Sequence, residues 1–388
     1  MPTVDVTVEC PVFDSFRVQK VAGMFDVPMA SKLTQRFCVE VPAADEPWMI
    51  GAIVGPSGSG KSTVARKAFG EDLYESQKWA RDKSILDCLG DGSVKDITHV
   101  LTAVGFSSPP SWVKPYHVLS NGEKFRVDLA RALLSGRKLI AFDEFSSVVG
   151  RTVAKVGSAA IAKSLRKGRI GGKFVAITCH YDVIEWLEPD WVLDMATGTL
   201  ARGLVQRPQI RLEVFQCERS AWKLFAQHHY LSRTLHGAAQ CFLATWNDEP
   251  VGFCAIQPNM GHKGCWRICR VVVLPDYQGL GIGTRLMEAV ADIWHNDRKM
   301  RVTITSTHPS VIRHNERSPL WRLMRVNKTG NGFHTLKDRA KLGWDKTAGR
   351  PVTSAGRAVV AFEYVGWPAG SLRREAQSAG FQPDRRAG

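Results

Sequence analysis

One short stretch limits this chain more than any other. Gly55-Pro56-Ser57-Gly58-Ser59-Gly60-Lys61-Ser62-Thr63 follows the apolar run Met49–Val54 and opens a helical pattern, Val64–Phe69. Glycines at Gly55, Gly58 and Gly60 let the backbone curl until several N–H groups converge on one anion at a helix N-terminus. Lys61 is placed to reach the terminal phosphates of a nucleotide, and the hydroxyls of Ser62 and Thr63 lie at the helix start, with Ser62 on Mg²⁺. A strand before and a helix after are the context this loop requires.

Further motifs narrow the reading. Leu139–Phe142 is an apolar strand ending in Asp143-Glu144, which places Asp143 beside the Mg²⁺ shell and Glu144 where it orients or deprotonates the attacking water. Leu119-Ser120-Asn121-Gly122-Glu123 precedes the helical pattern Phe125–Leu134, and Phe174–Thr178 is followed by Cys179-His180. In this order the motifs resemble the ABC ATPase superfamily over residues 1–205. The resemblance implies an ATPase using ATP and Mg²⁺, with His180 sensing the γ-phosphate, while the acidic and polar start MPTVDVTVEC separately gives the expectation of a cytoplasmic protein. Gln77 is its candidate for coupling water to Mg²⁺, and either Phe25 or Phe37 is the aromatic that stacks on adenine. Ser120, Asn121, Gly122 and Glu123 form the signature, which in this family caps ATP on a second copy, so a homodimer or a partner ATPase is implied. Asn121 replaces a usual glycine. Ser146 and Ser147 fit the segment after Glu144, whereas the family's Leu-Asp is missing there. Ser120 lies only 59 positions beyond Lys61, a shorter interval than in transporter ATPases, and no apolar run is long enough to span a bilayer. A membrane partner is not expected.

The second half carries a different pattern. Strand-like runs Cys241–Trp246, Val251–Ile256 and Ile268–Leu274 lead to Pro275-Asp276-Tyr277 and then to Gln278-Gly279-Leu280-Gly281-Ile282-Gly283-Thr284, with the helical pattern Arg285–Trp294 after it. This arrangement resembles the GNAT acyltransferase family. It implies that Gln278, Gly279, Gly281, Ile282, Gly283 and Thr284 bind the pyrophosphate of acetyl-CoA or another acyl-CoA. The preceding strand, with Val271 and Val273, then presents backbone amides to the thioester carbonyl. Many family members carry a general-acid tyrosine on the helix after the next strand. Here Ser306-Thr307-His308-Pro309 and Ile312–Met324 contain none, leaving Ser306 or His308 as substitutes. His228, His229, Tyr230, Ser232 and Arg233 form a second candidate acceptor cluster. With the missing tyrosine and the His-x-Pro segment, this cluster resembles the phage Mu Mom DNA-modification protein and its relatives, which modify the exocyclic amine of adenine. His262, Cys265 and Cys269 fit no common zinc spacing, and the nine scattered cysteines suit reduced thiols.

Charge separates the halves. Residues 1–207 hold 26 Lys+Arg against 23 Asp+Glu, whereas residues 208–388 hold 26 against 14. A basic module attracts polyanions. The cluster Trp321, Arg322, Arg325 and Lys328, followed by Lys337, Arg339 and Lys341, adds to it. The expected architecture is α/β throughout: an ABC-type ATPase domain at 1–205, a short linker over Gly203–Pro208, a GNAT-like domain at 209–366 and a basic tail at 367–388. The expected function is ATP hydrolysis joined to transfer of a group onto a nucleic-acid base amine, on DNA first and tRNA second. Three alternatives stand beside it: acetylation of a protein, tRNA or small amine, a DNA clamp with a non-catalytic second module, and a transporter ATPase.

Overall fold

A computed structural model describes residues 3–11, 13–25, 32–74, 78–203, 207–229, 233–328 and 358–367. The chain forms two compact units, one from residues up to Phe106 and Trp112–Pro208, the other from Ser107–Ser111 and Gln209 onward. Gln77, Tyr230, Ser232, Lys337, Arg339, Lys341 and the tail beyond Trp367 lie outside the described residues.

In chain order the first stretch holds β1 (Thr3–Pro11), α1 (Phe16–Phe25), β2 (Lys32–Glu40), β3 (Ile50–Val54), α2 (Lys61–Phe69) and β4 (Leu73–Tyr74). Then come α3 (Ile85–Cys88), α4 (Val94–Ala103), α5 (Pro109–Trp112), α6 (Asn121–Leu134), β5 (Leu139–Phe142) and α7 (Arg151–Arg166). The last elements of this half are β6 (Lys173–Thr178), α8 (Ile184–Leu187), β7 (Trp191–Asp194) and β8 (Thr199–Arg202). The six-stranded sheet has the order β4-β5-β6-β3-β7-β8, parallel except for the antiparallel β7–β8 hairpin. β3 and β5 are buried along their whole length, which is why each is an unbroken apolar run and not an alternating one. Asp190 fastens the start of β3: its carboxylate accepts from the N–H groups of Met49 (2.8 Å) and Ile50 (2.9 Å) and pairs with Arg166 at 2.8 Å. Burial pushes its carboxyl up, but these partners outweigh it and hold it below the usual carboxylate range.

The second unit contains β9 (Glu213–Cys217), α9 (Trp222–Phe225), β10 (Gln240–Trp246), β11 (Glu249–Pro258) and β12 (Cys265–Val273). It continues with α10 (Ile282–Asp292), β13 (Arg301–Ser306), α11 (Pro309–Arg317), β14 (Trp321–Lys328) and β15 (Ala358–Tyr364). Its seven strands lie in the order β14-β15-β13-β12-β11-β10-β9. Among the described strands of this sheet, only β12 and β13 run parallel. One apolar cluster joins Leu286, Met287 and Val290 of α10 to Val251, Cys254 and Val302 of the sheet. A second gathers Trp222 and Phe225 of α9 with Cys241, Phe253 and Val272.

The expected α/β architecture agrees with this structure. The stretch Ile312–Met324, which lacks the family's tyrosine, is helical only to Arg317 and becomes a strand at Trp321. Pro319 is the physical reason, since it has no N–H to donate and drives Ser318 into extended geometry, φ −82° and ψ 126°.

Candidate functional sites in the two units

In the first unit, three strand ends converge. The glycine loop leaves β3 at Val54, Asp143 leaves β5, and Cys179-His180 leaves β6, which lies between β3 and β5. The carboxyl ends of parallel strands are where open α/β sheets hold ligands. Gly60 caps α2 in the left-handed region, φ 83°, and a Cβ there would stand 2.4 Å from the ring of Phe37. The ring therefore covers the loop, whereas Phe25 at the end of α1 is 70% exposed. Of the two candidate aromatics, Phe37 is the one the fold brings to the phosphate loop.

Lys61 Nζ donates to Pro56 O at 2.7 Å. The buried hydroxyl of Ser59 has no hydrogen-bond partner among the described residues, so the loop retains an unmet polar group. These features fit a nucleotide triphosphate. Its phosphates would lie on the amides of residues 57–63 and on Lys61, with Mg²⁺ held by Ser62 and Asp143.

Asp143 accepts from the Glu144 N–H at 2.9 Å, and Glu144 has φ 54° with an exposed side chain. The Phe145 N–H donates to Ile177 O at 2.8 Å, tying this turn to β6. Behind it, the fully buried Ser146 lies 3.1 Å from His180 Nδ1 and 3.4 Å from Thr178 Oγ1. Burial, with the nearby Arg151 charge, pulls the His180 imidazole below its ordinary value. Sequence reasoning marked Ser146 and His180 separately and did not foresee their contact.

Ser120 is the N-cap of α6. Its Oγ accepts from the Glu123 N–H at 3.3 Å, while the Ser120 N–H donates to Glu123 Oε2 at 3.0 Å. This capping box explains the Ser-x-x-Glu spacing locally. It leaves Asn121 exposed and Gly122 partly exposed at the helix start.

In the second unit, β12 and β13 pair from Cys265/Arg301 to Ile268/Ile304 and then part. Beyond that point β12 remains paired to β11 through Val273, and β13 remains paired to β15 through Ser306. Among the described residues, 271–273 of β12 thus pair with β11 on one side and with no strand on the other. The separation begins at a bulge. Ala255 pairs with Arg270 and Ile256 with Ile268, leaving Cys269 as the extra residue. The glycine loop follows directly. Gly279 and Gly281 have φ 100° and 92°, and Gly281 caps α10. A Cβ on Gly283 would sit 3.1 Å from Val273 Cγ2, so this glycine lets the helix close on the strand beside Val271 and Val273. Gln278 Nε2 donates to Val273 O at 3.0 Å, bracing the turn. Ile282 is buried beneath the helix, and Thr284 Oγ1 donates to Gly281 O at 2.9 Å. The free strand edge and the helix N-terminus fit a ligand with amide and pyrophosphate groups.

The proposed acceptor residues divide. His308 caps α11, its Nδ1 accepting from the Ser310 N–H at 3.3 Å, and its own N–H donates to Ser306 Oγ at 3.0 Å. His229 is buried edge-on to Trp222, ring centroids 5.7 Å apart. His228 lies 3.2 Å from Gln227 Nε2. Arg233 is exposed, and its carbonyl accepts from Trp222 Nε1 at 2.6 Å. Tyr364 of β15 is buried, its hydroxyl donates to Asp292 at 3.0 Å, and burial pushes its phenol well up. Among the described residues, no group of three or more His, Cys, Asp or Glu is arranged to hold a metal ion.

Residues 207–314 match the acetyltransferase (GNAT) family. A comparison with curated proteins gives no match. Among solved structures, the chain is similar to the dimeric bacterial ABC transporter cassette MJ0796 at 15% identity and TM-score 0.34, covering 42% of this chain and 87% of that one. It is also similar to the ribosomal-protein-S18-alanine N-acetyltransferase of Escherichia coli at 13% identity and TM-score 0.30, covering 42% and 98%. An acetyltransferase of Bacillus subtilis in complex with CoA gives 13% identity and TM-score 0.27, covering 40% and 98%. No helix among the described residues is long and apolar enough to cross a membrane.

Proposed function

We propose that the chain is an acyl-CoA-dependent N-acyltransferase (residues 209–366) governed by an ATP-hydrolysing module (residues 1–205) that works as a homodimer. The parting of β12 from β13 immediately before the Gly279–Gly283 loop carries the transferase reading. It offers an unpaired strand edge to the thioester carbonyl and helix-start amides to the pyrophosphate. An acceptor amine forms the new N–C bond as the C–S bond breaks. The amine loses a proton to a base, and the departing thiolate takes one up. In the ATPase module, Glu144 directs water toward the γ-phosphate, His180 senses that group, and Ser120 with Gly122 closes the site of the second copy.

The acceptor is a nucleic-acid base amine, on DNA before tRNA. The net positive charge of residues 208–388 supports this partner, as does the resemblance of the His228–Arg233 region and the His308-Pro309 segment to the Mom relatives. Single-stranded or opened substrate is required, because the amine is otherwise held in a base pair. Labelled acetyl-CoA offered with DNA, tRNA and lysine peptides, with and without ATP, tests the reading. Label on nucleic acid, lost in both Gly281→Glu and Lys61→Ala, is expected. Label on peptide alone moves the acceptor to protein.

A further inference from the structure

A cleft of about 400 Å³ in the first unit belongs to neither site. Lys78, Trp79 and Arg81 line it from one segment, and Tyr116, His117 and Lys124 from another. Its aromatic floor is firmly held. Trp79 and Tyr116 stack with ring centroids 4.6 Å apart and planes 2° from parallel. Arg131 lies over Trp79 at 4.4 Å. Trp79 Nε1 and the Tyr116 hydroxyl both donate to Asp128, at 2.9 and 2.7 Å. The Asp128 carboxylate is thereby engaged beneath the rings.

Among the described residues, the cleft lining contains no acidic side chain. Lys78, Arg81 and Lys124 enter no ion pair among the described residues. Three cations gathered around one opening repel each other until an anion joins them. Lys124 stands 5.8 Å from the centroid of Tyr116, where it can swing aside and expose a ring face. The volume admits one nucleotide unit and is too small for a duplex, and the cleft is open, so a strand can enter and leave it. Cations that follow a backbone beside an aromatic surface are the elements that bind single strands without reading sequence.

We propose that this cleft holds a segment of single-stranded nucleic acid, with phosphates on Lys78, Arg81 and Lys124 and a base against the Trp79–Tyr116 pair. Lys124 is on α6, the helix that Ser120 and Glu123 begin, so an occupied cleft bears on the signature and thereby on ATP turnover. The inference shares the nucleic-acid partner of the proposed function and needs none of its acyl chemistry.

The test uses the full chain and a fluorescent oligothymidylate, titrated over a range of salt concentrations. The variant Lys78→Glu/Arg81→Glu/Lys124→Glu is compared with wild type and with Lys95→Glu, an exposed cation elsewhere on the unit. Affinity is expected to fall at least about tenfold in the triple variant. The salt slope is expected to fall by about 2, at roughly 0.7 for each lost phosphate contact. Melting and the affinity of Lys95→Glu stay unchanged, and ultraviolet crosslinking maps the strand to the peptides bearing Trp79 or Tyr116. If the triple variant misfolds, Lys78→Ala/Arg81→Ala provides the same comparison. Unchanged affinity and slope, or displacement of the strand from these peptides by polyglutamate or by a free mononucleotide, overturns the proposal. Absence of any modified base leaves this binding measurement intact, so the two readings fail separately.

Discussion

Ser146 Oγ lies 3.1 Å from His180 Nδ1, and the serine that makes this contact is fully buried at φ 69°. The hydrogen bond at one ring nitrogen sets what the other offers, so Ser146 fixes the tautomer and the aim of Nε2. Ser146→Ala is expected to lower ATP turnover by roughly 10- to 100-fold, the scale of a misaimed group, with little change in nucleotide affinity. Steady-state hydrolysis beside nucleotide titration checks it. The imidazole is held below 6.5, chiefly by burial. As pH falls through about 6.5 the unfolded chain binds the proton first, so the stability held by neutral His180 is complete above that pH and lost below it. His180→Gln should flatten this acid-side loss in a melting series.

Phe37 is the aromatic that reaches the phosphate loop. Phe37→Ala should weaken ATP binding about fivefold, near the 1 kcal/mol expected of one stacked ring. Phe37→Trp should retain affinity, and Phe25→Ala should leave it unchanged. Titration with a fluorescent ATP analogue separates the three.

Gly51 sits in the middle of β3, where a Cβ would stand 2.1 Å from the Trp191 ring. That indole is fully buried beneath the strand, so it has no room to withdraw. Gly51→Ala should cost about 1–3 kcal/mol through overpacking. The melting temperature of the first unit should fall by several degrees, roughly in proportion, as calorimetry would record.

Much of this was legible where the determinant is local. The phosphate loop depends on glycines and a lysine within nine residues, and the Ser120–Glu123 cap closes within one helical turn. Strands such as Leu139–Phe142 and Phe174–Thr178 were visible because burial on both faces demands unbroken apolar runs. What escaped depends on chain distance. Ser146 and His180 are 34 positions apart and meet only because β5 and β6 are neighbours. The bulge at Cys269 is a matter of pairing register, which one strand's sequence does not encode. Trp79, Tyr116 and Asp128 come from three segments and carried no motif.

The central claim, ATP-governed modification of a nucleic acid, is tested most directly by mass spectrometry of nucleosides. DNA and tRNA would be taken from cells expressing wild type, Gly281→Glu or Lys61→Ala. The account predicts a new nucleoside, in DNA before tRNA, that is absent from both variants. No new nucleoside in either pool, with labelled acetyl groups on protein or small amines instead, would contradict it.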